Sequence, residues 1–318
     1  MLPLVMAVMW IFILPKPNIV VTENAFPLFY KILGPIKSFR GLLIFLALLS
    51  TIIQAFYLTS IINRHSALKE TSHLPALLFV VMMSCFPEQL SFNPLIIANF
   101  FIIAFLNYVF NLYRAEKAVF SSFDAGFFIG MAAMFYWPAL FLFPLIWAAL
   151  LILRSFEWRE WIASLFGVLL PFVFFSATLF WFDMFSFDSI KSIFEPFTQV
   201  QISAVYNSTY FILFGILLFI VIASLVRFSK DLGTFSKLRT RKFLTLLVWF
   251  FIFAALSYLM SKKSTMVSLS FLAIPLAVLI SNYFLSIKKV LFAESLFLIL
   301  IIAVIYNQVL FFLHYFPV

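Results

Sequence analysis

Charge is missing from this chain over distances that match the thickness of a bilayer. Gly41 to Ile62 and Leu95 to Tyr113 contain no Asp, Glu, Lys or Arg, and about 20 mainly apolar residues let a helix cross a hydrocarbon core of roughly 30 Å. Segments of this length and composition read as membrane-spanning helices. Composition agrees: 65% of the 318 residues are hydrophobic, 10% are charged, and the mean hydropathy is +1.14. A soluble domain carries about 25% charged residues, so this chain lacks the polar surface to face water. The expected fold class is all-α, a polytopic transmembrane bundle forming one integral membrane domain over residues 1–318. Cys85 is the only cysteine, which excludes an internal disulfide and a cysteine-based metal site.

Breaks at charged and turn-forming residues divide the chain into about 11 apolar segments: Leu2–Leu14, Gly41–Ile62, Leu74–Phe86, Leu95–Tyr113, Ala125–Trp137, Ala139–Leu153, Trp161–Phe182, Tyr210–Val226, Phe243–Met260, Val267–Leu285 and Val290–Tyr315. The first lacks the basic flank and cleavage site of a secretory signal, so it reads as a retained helix. Ala125 to Leu153 as one helix would run about 43 Å, too long for the core, and Pro138 and Pro144 interrupt it. Two short legs are expected there. Gly126 and Gly130 form a GxxxG pattern that suits close packing of that hairpin.

With eleven helices and an inner N-terminus, 14 of the 21 Lys and Arg residues fall in inner gaps and 7 in outer ones. This follows the positive-inside tendency, although ten helices with an outer N-terminus give the same division. The bacterial inner membrane, crossed many times, is the expected location, and the His65–His73 loop is expected on the cytoplasmic face. The net charge of +9 therefore orients the chain in lipid and does not imply a nucleic-acid partner. Two outer loops, 16–40 and 183–209, mix charge with aromatic residues as interfacial helices do. The six basic residues between Arg227 and Lys242 read as a topology signal strengthened by attraction to anionic lipid.

Little in the sequence can carry chemistry. No GxGxxG, Walker, HExxH or GxSxG motif is present, no metal site is indicated, and no cofactor is assigned. His65, His73 and His314 are dispersed and expected at interfaces. Glu160 and other acids in the basic gaps should pair with Lys or Arg. Asp124 is expected to cap a helix, and Trp137, Trp158, Trp161 and Trp181 should sit near helix ends, as an interfacial belt does. Glu23 and Glu88 are candidate catalytic carboxylates on the outer face. Lys262 and Lys263, a basic pair at an outer boundary against the positive-inside tendency, are candidate ligands of a lipid phosphate. Together they could supply a base for an acceptor hydroxyl and cations for a leaving phosphate.

The stretch SCFPEQLSFNP, then FDAGFFIGMAAMFYWPALFLFPLIWAALLILR, and later SKKSTMVSLSFLAIPLAVLISNYF resemble the GT-C superfamily of polyprenyl-phosphate-dependent glycosyltransferases. The words TSHLPALLF, FPEQLSFNP, FDAGFFIG, FEWREW and LAIPLAVLIS are similar to an uncharacterised multi-pass membrane family typical of Bacteroidota. The resemblance implies a GT-C-like helical arrangement and a role in cell-envelope biogenesis. It also implies transfer of a sugar from a polyprenyl-phosphate-linked donor on the periplasmic face. Where that superfamily often carries an acidic pair in its first outer loop, this chain has Glu23. The alternative is a non-catalytic subunit or scaffold bound to a membrane-protein partner of an envelope or secretion complex.

Overall fold

The computed structural model describes residues 40–86, 89, 92–113, 115, 117–181, 210–231, 238–260, 266–287 and 290–315. In chain order the helices are α1 (Arg40–Arg64), α2 (Leu74–Met83), α3 (Pro94–Asn111), α4 (Ala118–Phe135), α5 (Pro144–Leu153), α6 (Trp158–Trp181), α7 (Tyr210–Asp231), α8 (Leu238–Leu259), α9 (Ser270–Ser286) and α10 (Val290–Tyr315). Short 3-10 turns, Trp137–Leu142 and Met266–Leu269, precede α5 and α9. No strand occurs among the described residues. Among the described residues seven helices are long and apolar enough to cross a membrane, and three shorter apolar helices, Leu74–Met83, Trp137–Leu153 and Ile212–Arg227, accompany them. This is the pattern of a multi-pass membrane protein. The first expected segment, Leu2–Leu14, and the loops 16–39 and 183–209 lie outside the described residues.

Pro171 and Pro275 lie inside α6 and α9, but three other prolines sit where a helix tolerates them. Pro75, Pro94 and Pro144 occupy first turns, where the missing N–H has no intrahelical partner to lose. At α3 the extended Asn93 adds a cap, its side-chain oxygen accepting from the Ile96 N–H at 3.0 Å. The expected break in 125–153 is present: α4 stops at Phe135, Tyr136 is extended, and the chain returns through the 3-10 turn and α5. Arg154, just after α5, donates to the Ala115 carbonyl just before α4. The two legs therefore form a hairpin whose ends meet.

α9 and α3 are the central helices, with 72% and 67% of their most apolar windows buried, against 22% for α6 on the periphery. α2 packs chiefly on α9 and α1, and α8 joins α9 to the α4–α5 hairpin. The most extensive helix contact is α4 with α6. Its cause is the absence of three side chains. A methyl group on Gly126 would overlap the Ser164 carbonyl, one on Gly167 would overlap the Phe123 carbonyl, and one on Gly130 would lie 2.6 Å from the Val168 oxygen. Backbones approach at this spacing only where no Cβ intervenes.

Four expectations change. The GxxxG glycines serve the α4–α6 crossing and not the hairpin. α4 begins at Ala118, so Asp124 lies inside the helix instead of capping it. α8 begins at Leu238, a turn before the expected Phe243, so Arg239, Arg241 and Lys242 are helical; their long aliphatic stems let a helix continue into the headgroup region. His65 is buried at 5% exposure, not left at an interface. Other expectations hold: Glu160 pairs with Arg154 at 3.1 Å, and Trp158 and Trp181 stand at the two ends of α6.

Candidate functional site

Basic loops that the charge pattern assigned to one side do meet at one end of the bundle. Thr240 at the start of α8 donates to the Ser66 carbonyl after α1 at 3.1 Å, His65 reaches Asn107 on α3, and Arg154 reaches Ala115. At the other end, Tyr136 and Ser268 share a hydrogen bond of 2.8 Å. Ser257 donates to the Pro138 carbonyl there at 2.6 Å.

The nominated residues belong to this second end by sequence. Glu23, Glu88, Lys262 and Lys263 themselves lie outside the described residues. Gln89 beside Glu88 is described, as is the chain from Met266 onward, three positions after Lys263. Gln89, next to Glu88, and Leu269, at the end of the 3-10 turn that follows the lysines, both line a cavity of about 170 Å³. Met82, Cys85 and Phe86 form its α2 side, Phe214, Leu217, Leu218 and Val221 its α7 side, Phe251 comes from α8, and Leu272, Ala273 and Leu276 from α9. The wall is almost wholly apolar. An apolar cavity of about 150 Å³ stays dry and takes a benzene-sized group, so this one suits a short stretch of hydrocarbon chain.

What shapes the α2 side is the early end of that helix. Ten residues rise about 15 Å, half a bilayer core, and an exposed helix end at that depth would leave carbonyls unsatisfied. The sequence supplies partners from several directions. Ser84 Oγ donates to the Val80 carbonyl at 2.8 Å and Cys85 Sγ to the Val81 carbonyl at 3.3 Å. From α10, Asn307 donates to the Cys85 carbonyl at 2.9 Å and Gln308 to the Ser84 carbonyl at 2.8 Å. From α3, the Asn99 amide contacts Met83 sulfur at 3.8 Å. Cys85 is buried and its Sγ donates to the Val81 carbonyl, so it forms part of the cavity wall.

Sequence reasoning missed Asn99, Asn307 and Gln308. Isolated amides inside apolar runs were the available signal, since a polar group at bilayer depth is expensive unless paired. Among the described residues no group of three or more His, Cys, Asp or Glu could hold a metal ion.

One family model, described as a family of unknown function (DUF6427), matches residues 28–315. The chain belongs to the DUF6427 family. The DUF6427 match takes in Glu88, the cavity lining, Lys262 and Lys263, and begins after Glu23. Comparison with curated proteins and with solved structures found no match.

Proposed function

We propose that this DUF6427 chain is a bacterial inner-membrane protein of cell-envelope biogenesis. On this reading it holds a polyprenyl-phosphate-linked sugar at its periplasmic end and transfers the sugar in the manner of a GT-C enzyme. The observation that carries the reading is the apolar cavity, because its lining includes Gln89, the chain neighbour of Glu88, and Leu269, six positions after Lys263. A prenyl segment would occupy the cavity while the remainder of the chain stays in lipid. Glu88, with Glu23 as a second carboxylate, would accept the proton of an acceptor hydroxyl as its oxygen attacks the anomeric carbon. The bond from that carbon to the lipid phosphate oxygen breaks, and the two lysines offset the charge of the departing phosphate. The GT-C assignment rests on the sequence words, and the cavity supports the lipid part of it independently.

The test uses the full chain in its own membrane. Glu23→Gln, Glu88→Gln and the Lys262→Ala, Lys263→Ala pair are scored for envelope phenotype beside protein abundance, together with Ala273→Phe to fill the cavity. Loss of function at normal abundance in Glu88→Gln and the lysine pair is expected. If all four variants function normally, the enzyme reading fails and the non-catalytic scaffold takes its place. Recovery of a stoichiometric membrane partner in mild detergent would then be the confirming result.

A further inference from the structure

At the basic end, opposite the cavity, the first turn of α8 carries Arg239, Arg241 and Lys242 and no acid. Cations there oppose the helix dipole, whose N-terminal end is itself positive. Arg239 is nonetheless held in one place. Its guanidinium lies 5.6 Å from the Tyr113 ring centre and 5.4 Å from that of Phe243, and its Nη2 is 3.4 Å from His65 Nδ1. Because arginine only donates, Nδ1 must be the accepting nitrogen, and His65 Nε2 therefore carries the proton it directs to Asn107 Oδ1 at 3.1 Å. The imidazole is neutral and adds no positive charge beside Arg239. The Arg239 Nε is buried with no acceptor among the described residues. Among the described residues the ion pair is Arg154 with Glu160, and none joins a carboxylate to Arg239 or Arg64.

An arginine fixed by two rings and a histidine, with Lys242 three positions further along its helix and no carboxylate paired with it among the described residues, is suited to an external anion. The planar fork matches two oxygens of a phosphate. Arg239 stands in the first turn of α8, a helix long and apolar enough to cross a membrane, and the end of such a helix is where lipid headgroups are met. We infer that Arg239, with Lys242, Arg64 and the His65–Asn107 pair that orients it, forms a phosphate site for an anionic lipid headgroup. The inference does not depend on the enzyme reading, since it concerns the other end of the bundle.

The test is thermal unfolding of the full chain in an uncharged detergent, titrated with phosphatidylglycerol, with phosphatidylcholine, or with inorganic phosphate. A ligand that binds the folded state raises the midpoint with concentration. Phosphatidylglycerol is expected to raise it by several degrees more than phosphatidylcholine. Arg239→Gln should remove most of that increment, whereas Arg159→Gln, which deletes the same charge at the same end, should keep it. Should Arg239→Gln not fold, Arg239→Lys keeps the charge without the fork and should lose at least half the increment, and Lys242→Gln should also reduce it. An equal increment from inorganic phosphate would assign the site to a soluble phosphate. No preference for anionic lipid, or equal losses in Arg239→Gln and Arg159→Gln, would overturn the site in favour of diffuse attraction.

Discussion

His65 shows how one residue can join three helices. It stands after α1, bonds Asn107 on α3, receives Arg239 from α8, and packs edge-on against Phe110 and Phe243. Burial pushes its pKa down; the Asn107 hydrogen bond acts against that, while Arg239 and Arg64 add to it. The sign of the linkage follows. The unfolded chain, with a histidine pKa near 6.5, binds the proton more readily than the folded one. Stability is therefore full above about pH 6.5 and declines as the pH falls through that value toward the lower folded pKa. Melting of the purified protein between pH 7.5 and 5.5 should show this decline, and His65→Asn should flatten it. A wild-type midpoint unchanged across that range would contradict the burial of a neutral imidazole.

At the scale of elements, the closest contact is the crossing of α4 and α6, where three missing side chains set the distance. Gly167→Leu forces a side chain into the α4 backbone at Phe123. It should cost at least the roughly 1–3 kcal/mol typical of overpacking, read as a lower melting midpoint. Gly215→Leu on α7 is the matched control, since nothing lies within 4 Å of a Cβ there, and it should leave the midpoint nearly unchanged. The sequence made the GxxxG pattern of α4 legible but not its partner, because Gly167 is a single glycine 37 positions beyond Gly130 and no local spacing announces it. Helix positions were legible for a related reason. Apolar length alone dictates where α1, α3 and α10 run, whereas α8 begins earlier than hydropathy implies because its first turn is polar yet still helical, and α4 because a short apolar turn, Ala118 to Phe120, precedes the polar Ser121, Ser122 and Asp124 within the same helix. The early stop of α2 was also visible as a short apolar run. The amides that make such a stop tolerable come from two other helices, which is tertiary information.

For the whole molecule, the charge pattern foretold which loops share an end, and bonds between residues far apart in sequence bring those loops together. Which end faces the cytoplasm is a separate matter, open to direct labelling. Cys85 is buried, so the native chain should be silent to maleimide. Glu70→Cys introduces an exposed thiol on the loop after α1. An impermeant maleimide should leave it unmodified in intact cells and modify it in inverted membranes. Modification in intact cells would reverse the topology and move the cavity to the cytoplasmic side. The candidate carboxylates and lysines were chosen for their type and their side of the membrane, and the cavity beside their chain neighbours is a product of packing among α2, α7, α8 and α9 that no local pattern encodes.

The way α2 ends also bears on the order in which the protein can mature. The carbonyls of Ser84 and Cys85 are met by Gln308 and Asn307, residues 224 and 222 positions later. During synthesis α3 to α9 emerge before those partners exist. Until then the α2 terminus must borrow water or a chaperone's polar groups, because lipid offers none. α10 thus completes α2, and the nascent chain carries an unfinished segment while the more than 200 residues between them are made.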